Sequence, residues 1–206
     1  MMQNKPYIVG ITGGIASGKS TVTKHLKDLG YEVIDFDKIS KEVLENRFVI
    51  REVSMTFGDY ILDGDKVNRS RLAKVIFNDR YARQRLNEIM HPRIYMKATR
   101  EIKKLHNEKI IFLDIPLLFE SKNSYPKFYS QINEIWVVSS NKNIQISRLM
   151  LRDQINLDEA EGKIDSQLKL QLKEKLADTI IYNNGDLENL YSQVDDQLKN
   201  LLEGFK

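Results

Sequence analysis

Five short apolar runs stand out along the chain, at residues 7–12, 31–35, 109–114, 134–138 and 179–183. Their middles are continuous rather than alternating, as in Ile110-Ile111-Phe112-Leu113 and Ile135-Trp136-Val137-Val138. That pattern predicts strands covered on both faces, as in a parallel sheet. Helical stretches separate the runs, so the expected architecture is a three-layer α/β fold on a five-stranded parallel sheet. Two segments interrupt the alternation. Residues 38–105 read as an all-helical insertion with a turn at Asp63-Gly64-Asp65, and Pro92 is expected to open a new helix over 93–105, since proline suits a first helical turn. Residues 143–177 read as an exposed, polar helical pair, placed to act as a mobile lid. The remaining core is expected at 1–37, 106–142 and 178–206, closed by an amphipathic helix over 187–202.

The junction of the first strand with the first helix carries the most specific chemistry. Gly13-Gly14-Ile15-Ala16-Ser17-Gly18-Lys19-Ser20-Thr21 fits the phosphate-binding pattern G-x-x-x-x-G-K-[ST] at every fixed position, in the strand–loop–helix context that gives the pattern meaning. Loop N–H groups and the helix N-terminus favour phosphate oxygens. Lys19 is expected to reach the terminal phosphates and Ser20 to ligate Mg²⁺, so the chain is expected to bind a nucleoside triphosphate.

Other candidates gain weight from that loop. Asp35 and Asp37 end the second strand and share a side if the extended conformation persists. Ligands of open parallel sheets bind beyond the carboxyl ends of the strands. One carboxylate can then serve Mg²⁺ while the other takes a proton from an acceptor hydroxyl; the alternative is a helix cap. Asp114, at the end of the third strand, is either a Mg²⁺-linked carboxylate or an ordinary strand end. Pro116-Leu117-Leu118-Phe119-Glu120 follows and is expected to pack over the site. Arg148 and Arg152 lie four apart, on one helix face, suited either to a transferring phosphoryl group or to surface ion pairs. The three histidines have no metal-ligand spacing; His91 reads as structural, and Trp136 as core.

Composition narrows the class. The 206 residues suit one sizeable domain, and the absence of cysteine excludes disulfides and thiolate metal sites. No apolar run approaches the roughly 20 residues of a membrane span, and the first strand is too short for the apolar region of a signal peptide and is followed by no cleavage pattern, so a cytoplasmic protein is expected. The net charge of +3 is unevenly placed: residues 66–104 hold 12 Lys/Arg against 3 acids, and residues 153–206 hold 12 acids against 6 Lys/Arg. The basic middle suits nucleic acid, a phosphorylated small molecule or a solvated face, and the phosphate loop favours the small anion.

These residues together resemble the dephospho-coenzyme A kinase family over nearly the whole chain. The resemblance runs from Ile11-Thr12 with the loop through Val33-Ile34-Asp35-Phe36-Asp37, Phe57-Gly58, Asn68-Arg69, Leu72, Ile76-Phe77 and Leu86-Asn87-Glu88-Ile89-Met90-His91-Pro92. It continues through Asp114-Ile115-Pro116-Leu117-Leu118-Phe119-Glu120, Gln145, Arg148, Arg152-Asp153 and Ser166-Gln167 to Ala177-Asp178 and Asn183-Asn184-Gly185. It implies a P-loop fold with a helical substrate-binding insertion and a lid. It also implies Mg²⁺-dependent transfer of the ATP γ-phosphate to the ribose 3′-hydroxyl of dephospho-coenzyme A, the last step of coenzyme A synthesis. On this likeness Asp37 is the expected base, Asp35 supports the metal, and Asn184-Gly185 lie near the adenine. The expected partners are these small molecules, with neither nucleic acid nor membrane, in a monomer or weak homo-oligomer. Ala16 departs from the glycine usual in the family's loop, Phe36 from a small residue, and Lys163 from an arginine.

Three rivals share parts of this pattern. A nucleoside or nucleoside-monophosphate kinase differs in its acceptor. A GTP-dependent switch needs a guanine-reading aspartate that Asn141-Lys142-Asn143-Ile144 lacks. A nucleic-acid-dependent ATPase would use the basic insertion.

Overall fold

A computed structural model describes residues 5–77 and 79–205. The expected reading of residues 1–4 as a bare lead into the first strand, and the outer limits of the core at 1 and 206, lie outside the described residues. The chain divides into two compact units, Asp35–Lys104 and the combination of Met1–Ile34 with Leu105–Lys206.

The first unit opens with β1 (Tyr7–Gly13), the phosphate loop and α1 (Lys19–Asp28), followed by β2 (Glu32–Asp35), whose last residue begins the second unit. In the second unit come α2 (Phe36–Leu44), α3 (Arg47–Phe57), β3 (Leu62–Asp63), β4 (Lys66–Val67), α4 (Arg69–Phe77) and α5 (Arg80–Lys104). The chain then returns through β5 (Ile110–Asp114), α6 (Leu118–Ser121), α7 (Pro126–Tyr129) and β6 (Glu134–Ser139). It closes with α8 (Lys142–Asp153), α9 (Leu157–Asp165), α10 (Leu170–Lys175), β7 (Thr179–Tyr182) and α11 (Leu187–Glu203). The strand order in the main sheet is β2-β5-β1-β6-β7. Parallel pairing sets Ile11 beside both Asp114 and Trp136, and Gly13 beside Val138. The carboxyl ends of β1, β5 and β6 therefore fall at one edge, where the loop leaves Gly13.

The continuous apolar runs follow from burial on both sides. Val9, Ile11, Ile110, Phe112, Trp136, Val138 and Ile181 form one cluster with Val22 and Leu26 of α1 and Leu190, Val194 and Leu198 of α11. Ile8, Ile111, Leu113 and Val137 alternate with these along the strands and are also buried. Trp136 is core, and its indole N–H donates to Glu134 at 2.6 Å, satisfying the polar handle of a buried indole.

The second unit differs from an all-helical insertion in one respect. The Asp63-Gly64-Asp65 turn closes a short antiparallel ribbon, in which Leu62 faces Val67 and Asp63 faces Lys66. Two-residue strands fall below the length at which alternation is readable, which is why the pattern looks strandless. Elsewhere Phe36, Ile39, Val49, Val53, Leu72, Ile89, Ile94, Tyr95 and Ala98 are buried. Ion pairs join Arg93 to Glu52 at 2.6 Å and Lys97 to Glu42 at 2.5 Å, tying α5 to α3 and α2.

Pro92 does not open a helix; it lies inside one continuous helix, Arg80–Lys104. Proline removes one i→i−4 bond and crowds the preceding turn, but both halves of α5 carry buried residues, including Ile89 and Met90 before it and Ile94 and Ala98 after it. Arg93 donates its guanidinium to the Ile89 carbonyl at 2.5 Å, serving an acceptor in the disturbed turn. Packing along the whole length outweighs the local penalty. Restoring the backbone donor with Pro92→Ala should raise unfolding free energy by about 1–3 kcal/mol, measurable by urea denaturation.

Burial pushes the His91 imidazole below its ordinary value of 6.5. Its proton is then bound more tightly in the unfolded chain, so stability falls as pH drops through 6.5 and keeps falling until the lowered folded value is passed. His91→Gln should flatten the loss of stability between about pH 7 and 5, a slope read from denaturation midpoints at stepped pH.

Candidate active site

The loop between β1 and α1 is built so that its oxygens point away from its open side. Three alternate carbonyls are held by side chains: Lys173 Nζ donates to Gly13 O at 3.2 Å, Gln145 Nε2 to Ile15 O at 2.8 Å, and Asn183 Nδ2 to Ser17 O at 2.8 Å. In a trans peptide the N–H of the next residue points opposite the carbonyl. Fixing these oxygens therefore directs the amides of Gly14, Ala16 and Gly18 to the opposite side. Ser17 N closes the turn on Gly14 O at 3.1 Å, and Gly18 O receives the amides of Thr21 and Val22 as α1 begins.

Three positions require glycine, the first being Gly13, where a Cβ would strike the backbone oxygen of Val138. Gly18 has φ +93°, and a Cβ there would strike the Asn183 amide; a Cβ on Gly14 would strike Gln145 Nε2. Ala16 is left-handed too, with φ +56°, a region that costs an L-residue about 1–2 kcal/mol. The departure at this position thus falls on a conformation that glycine adopts freely. The Ser17 hydroxyl is buried and is the single buried side-chain polar atom without a hydrogen-bond partner among the described residues.

Lys19, in the first turn of α1, forms an ion pair with Asp114 at the end of β5, both largely buried. Ser20 is exposed beside it. Arg148 does not stand free on a lid surface: its guanidinium donates to Asn183 O and Asn183 Oδ1, each at 3.3 Å, and reaches Ser140 at 3.5 Å. It therefore braces the residue that holds the Ser17 carbonyl. Arg152, one turn further along α8, is 59% exposed and pairs with Asp153 at 2.8 Å. Lys163 reaches the same carboxylate at 2.7 Å, so Arg152 and then Lys163 hold the Asp153 carboxyl down to about 2. The two arginines share a helix but have different partners. Asn184 accepts from Asn141 N at 2.8 Å, and Gly185 follows in the turn before α11.

The aspartate pair is organised differently from an extended strand end. The strand stops at Asp35, which caps α2 by accepting from Lys38 N at 2.9 Å. Asp37 is exposed in the first turn of that helix. The two carboxylates are thus an N-cap and a first-turn acid, not alternate residues of a strand, because the cap hydrogen bond ends the extended conformation.

Lys173 is the residue that the sequence pattern did not single out. It is fully buried in α10 and pairs with Glu120 at 2.9 Å. Its signal is faint: it stands in helical phase with Leu170 and Ala177, where an apolar residue is expected. Glu120 also accepts from Leu168 N at 3.2 Å, so the Pro-Leu-Leu-Phe-Glu segment fastens the chain just ahead of α10.

A phosphate loop with Lys19 and Ser20, at the carboxyl edge of a parallel sheet of this order, defines a P-loop nucleotide-binding protein. The comparisons with known proteins carry this to one family. A family model for dephospho-CoA kinase matches residues 7–189. The dephospho-CoA kinase of Fusobacterium nucleatum is 41% identical over 189 residues, 91% of this chain and 95% of the relative. A Thermus thermophilus crystal structure superposes with a TM-score of 0.82 at 29% identity, covering 98% of this chain and all of that one. A Campylobacter jejuni dephospho-CoA kinase gives 0.64 at 26% identity, covering 95% and 97%. The chain belongs to the dephospho-CoA kinase family.

Ala16 offers a direct test of the loop's backbone. Ala16→Gly trades relief of left-handed strain against unfolded-state entropy and should leave stability within about 1 kcal/mol of wild type. Ala16→Val, branched at Cβ, should lower it by a further 1–2 kcal/mol or so. Urea midpoints of the two variants give the comparison.

Proposed function

We propose that the chain transfers the γ-phosphoryl group of ATP to the ribose 3′-hydroxyl of dephospho-coenzyme A, yielding coenzyme A. Membership of the dephospho-CoA kinase family gives the reaction, and one observation carries the assignment of the donor site: a phosphate loop whose carbonyls are anchored behind it and whose Ser17 hydroxyl is buried without a protein partner. Such a loop offers amides to the β- and γ-phosphates with little rearrangement.

Lys19 exchanges Asp114 for phosphate oxygens, and Arg152 exchanges Asp153 for the transferring group. Arg148, through Asn183, keeps the loop in place. The turn at Asn184-Gly185 borders the adenine. Asp37, exposed on the first turn of α2, orients the acceptor hydroxyl and takes its proton. The helical unit receives the basic-region anion contacts of dephospho-coenzyme A, and residues 143–177 serve as a lid. The enzyme works in the cytoplasm on these two small molecules, as a monomer or weak homo-oligomer.

The donor set fits a shared Mg²⁺ ion. Among the described residues no group of three or more His, Cys, Asp or Glu forms a cation cage. Mg²⁺ in such sites keeps water and phosphate ligands and takes only one or two from protein. The exposed Ser20 hydroxyl suits that demand, and the family likeness would add Asp35 as a supporting carboxylate. When bound, Mg²⁺ supplies charge neutralisation across the phosphates. Among the described residues no helix is long and apolar enough to cross a membrane.

Incubation with ATP, Mg²⁺ and dephospho-coenzyme A should yield coenzyme A by mass spectrometry, and nucleosides or nucleoside monophosphates should not replace that acceptor. Lys19→Ala and Asp37→Asn should each lower turnover by at least about 100-fold, the scale for losing a charge-stabilising or proton-accepting group. Near-normal turnover in Asp37→Asn removes it as the base.

A further inference from the structure

We propose that Lys173, paired with Glu120, is a positioning residue for ATP: its buried ammonium fixes the first peptide of the phosphate loop and so aims the Gly14 amide at the triphosphate. The proposal rests on the kinase reading above and extends it to a residue that never meets the reacting atoms.

Lys173 is 0% exposed, yet it carries a charge into the protein. Burying an ammonium is costly, and an apolar side chain of similar length often serves stability as well or better. Its polar contacts are specific: Gly13 O at 3.2 Å and Glu120 Oε1 at 2.9 Å. The first is the carbonyl of the peptide that ends β1 and opens the loop. Because that peptide is planar and trans, holding its oxygen behind the sheet edge sets the direction of the Gly14 N–H.

The pair is itself held from three elements. Glu120 lies in α6, just after β5, and its Oε1 also receives Leu168 N at 3.2 Å. The residue after Lys173 is pinned as well, since Ser139 Oγ at the end of β6 donates to Glu174 Oε1 at 2.5 Å. Gly13 pairs in register with Val138, the residue before Ser139. Two successive residues of α10 thus grip the ends of β1 and β6, adjacent strands at the edge where the loop begins. The other two side-chain anchors, Gln145 and Asn183, act later in the loop, so of the three it is Lys173 that holds the first peptide.

The test compares wild type with Lys173→Met and with Lys173→Met/Glu120→Gln, the second variant removing the carboxylate charge left without its partner. ATP binding is measured by calorimetry, KM for dephospho-coenzyme A by steady-state kinetics, fold by urea denaturation, and the Gly14 amide by hydrogen exchange. The expected result is an ATP Kd raised roughly tenfold to a hundredfold, the range for losing a supporting contact behind a binding group. KM for dephospho-coenzyme A should stay within about twofold, and Gly14 exchange should accelerate in the ATP-saturated protein, where the bound phosphate protects the wild-type amide. If Lys173→Met does not fold, the double variant decides. An unchanged ATP Kd in a folded variant, or equal loss for donor and acceptor, overturns the proposal. A wild-type chain that binds ATP but makes no coenzyme A overturns the kinase reading and leaves this test standing; one that binds no ATP overturns both.

Discussion

A peptide group that turns its N–H toward a phosphate must turn its oxygen the other way, and something must receive that oxygen. Here the receivers are Lys173, Gln145 and Asn183, acting on Gly13, Ile15 and Ser17. Much of the first unit is arranged to supply them. Gln145 comes from the first turn of α8, Asn183 from the end of β7, and Lys173 from α10, so three chain segments distant in sequence converge behind one short loop. The parallel sheet brings them together, because the carboxyl ends of β1, β6 and β7 share an edge.

This convergence also changes the meaning of the segment at residues 143–177. Its entry is fastened through Gln145 and Arg148, and its exit through Lys173 and Glu174. Between these fixed ends lies α9, opened by a capping box between Asn156 and Glu159 and joined to α8 by the Lys163–Asp153 pair. The capping box organises α9 locally, while the Lys163–Asp153 pair connects it to α8. The side chains that could meet a triphosphate from this side are carried on a frame whose two roots are already part of the loop's support.

The sheet was legible in the sequence because its signal is collective. Ile110–Asp114 is buried throughout and Glu134–Ser139 over its last four residues, and five such short runs separated by helical stretches fit a sheet covered on both faces. The phosphate loop was legible for a related reason, since its glycines answer to the backbone of Gly18 and to the close approach of Gln145 at Gly14. Single-residue decisions were harder to read. Pro92 reads as a helix start until the burial of both flanks of α5 is known. Asp35 reads as a strand end until its carboxylate is found capping Lys38. Lys173 escapes notice, because its partners lie 53 and 160 residues away and no local pattern encodes them.

The ion pair of Lys19 with Asp114 bears on which anions the loop can retain. An ammonium already neutralised by a carboxylate gains from a new anion only the difference between two attractions, not the whole of one. A singly charged anion offers little more than Asp114 already does, whereas a chain of phosphates brings several charges together with the loop amides and the end of α1. On the proposed donor-site reading, the carboxylate would set a threshold of valence, biasing the cradle against sparse, weakly charged solutes.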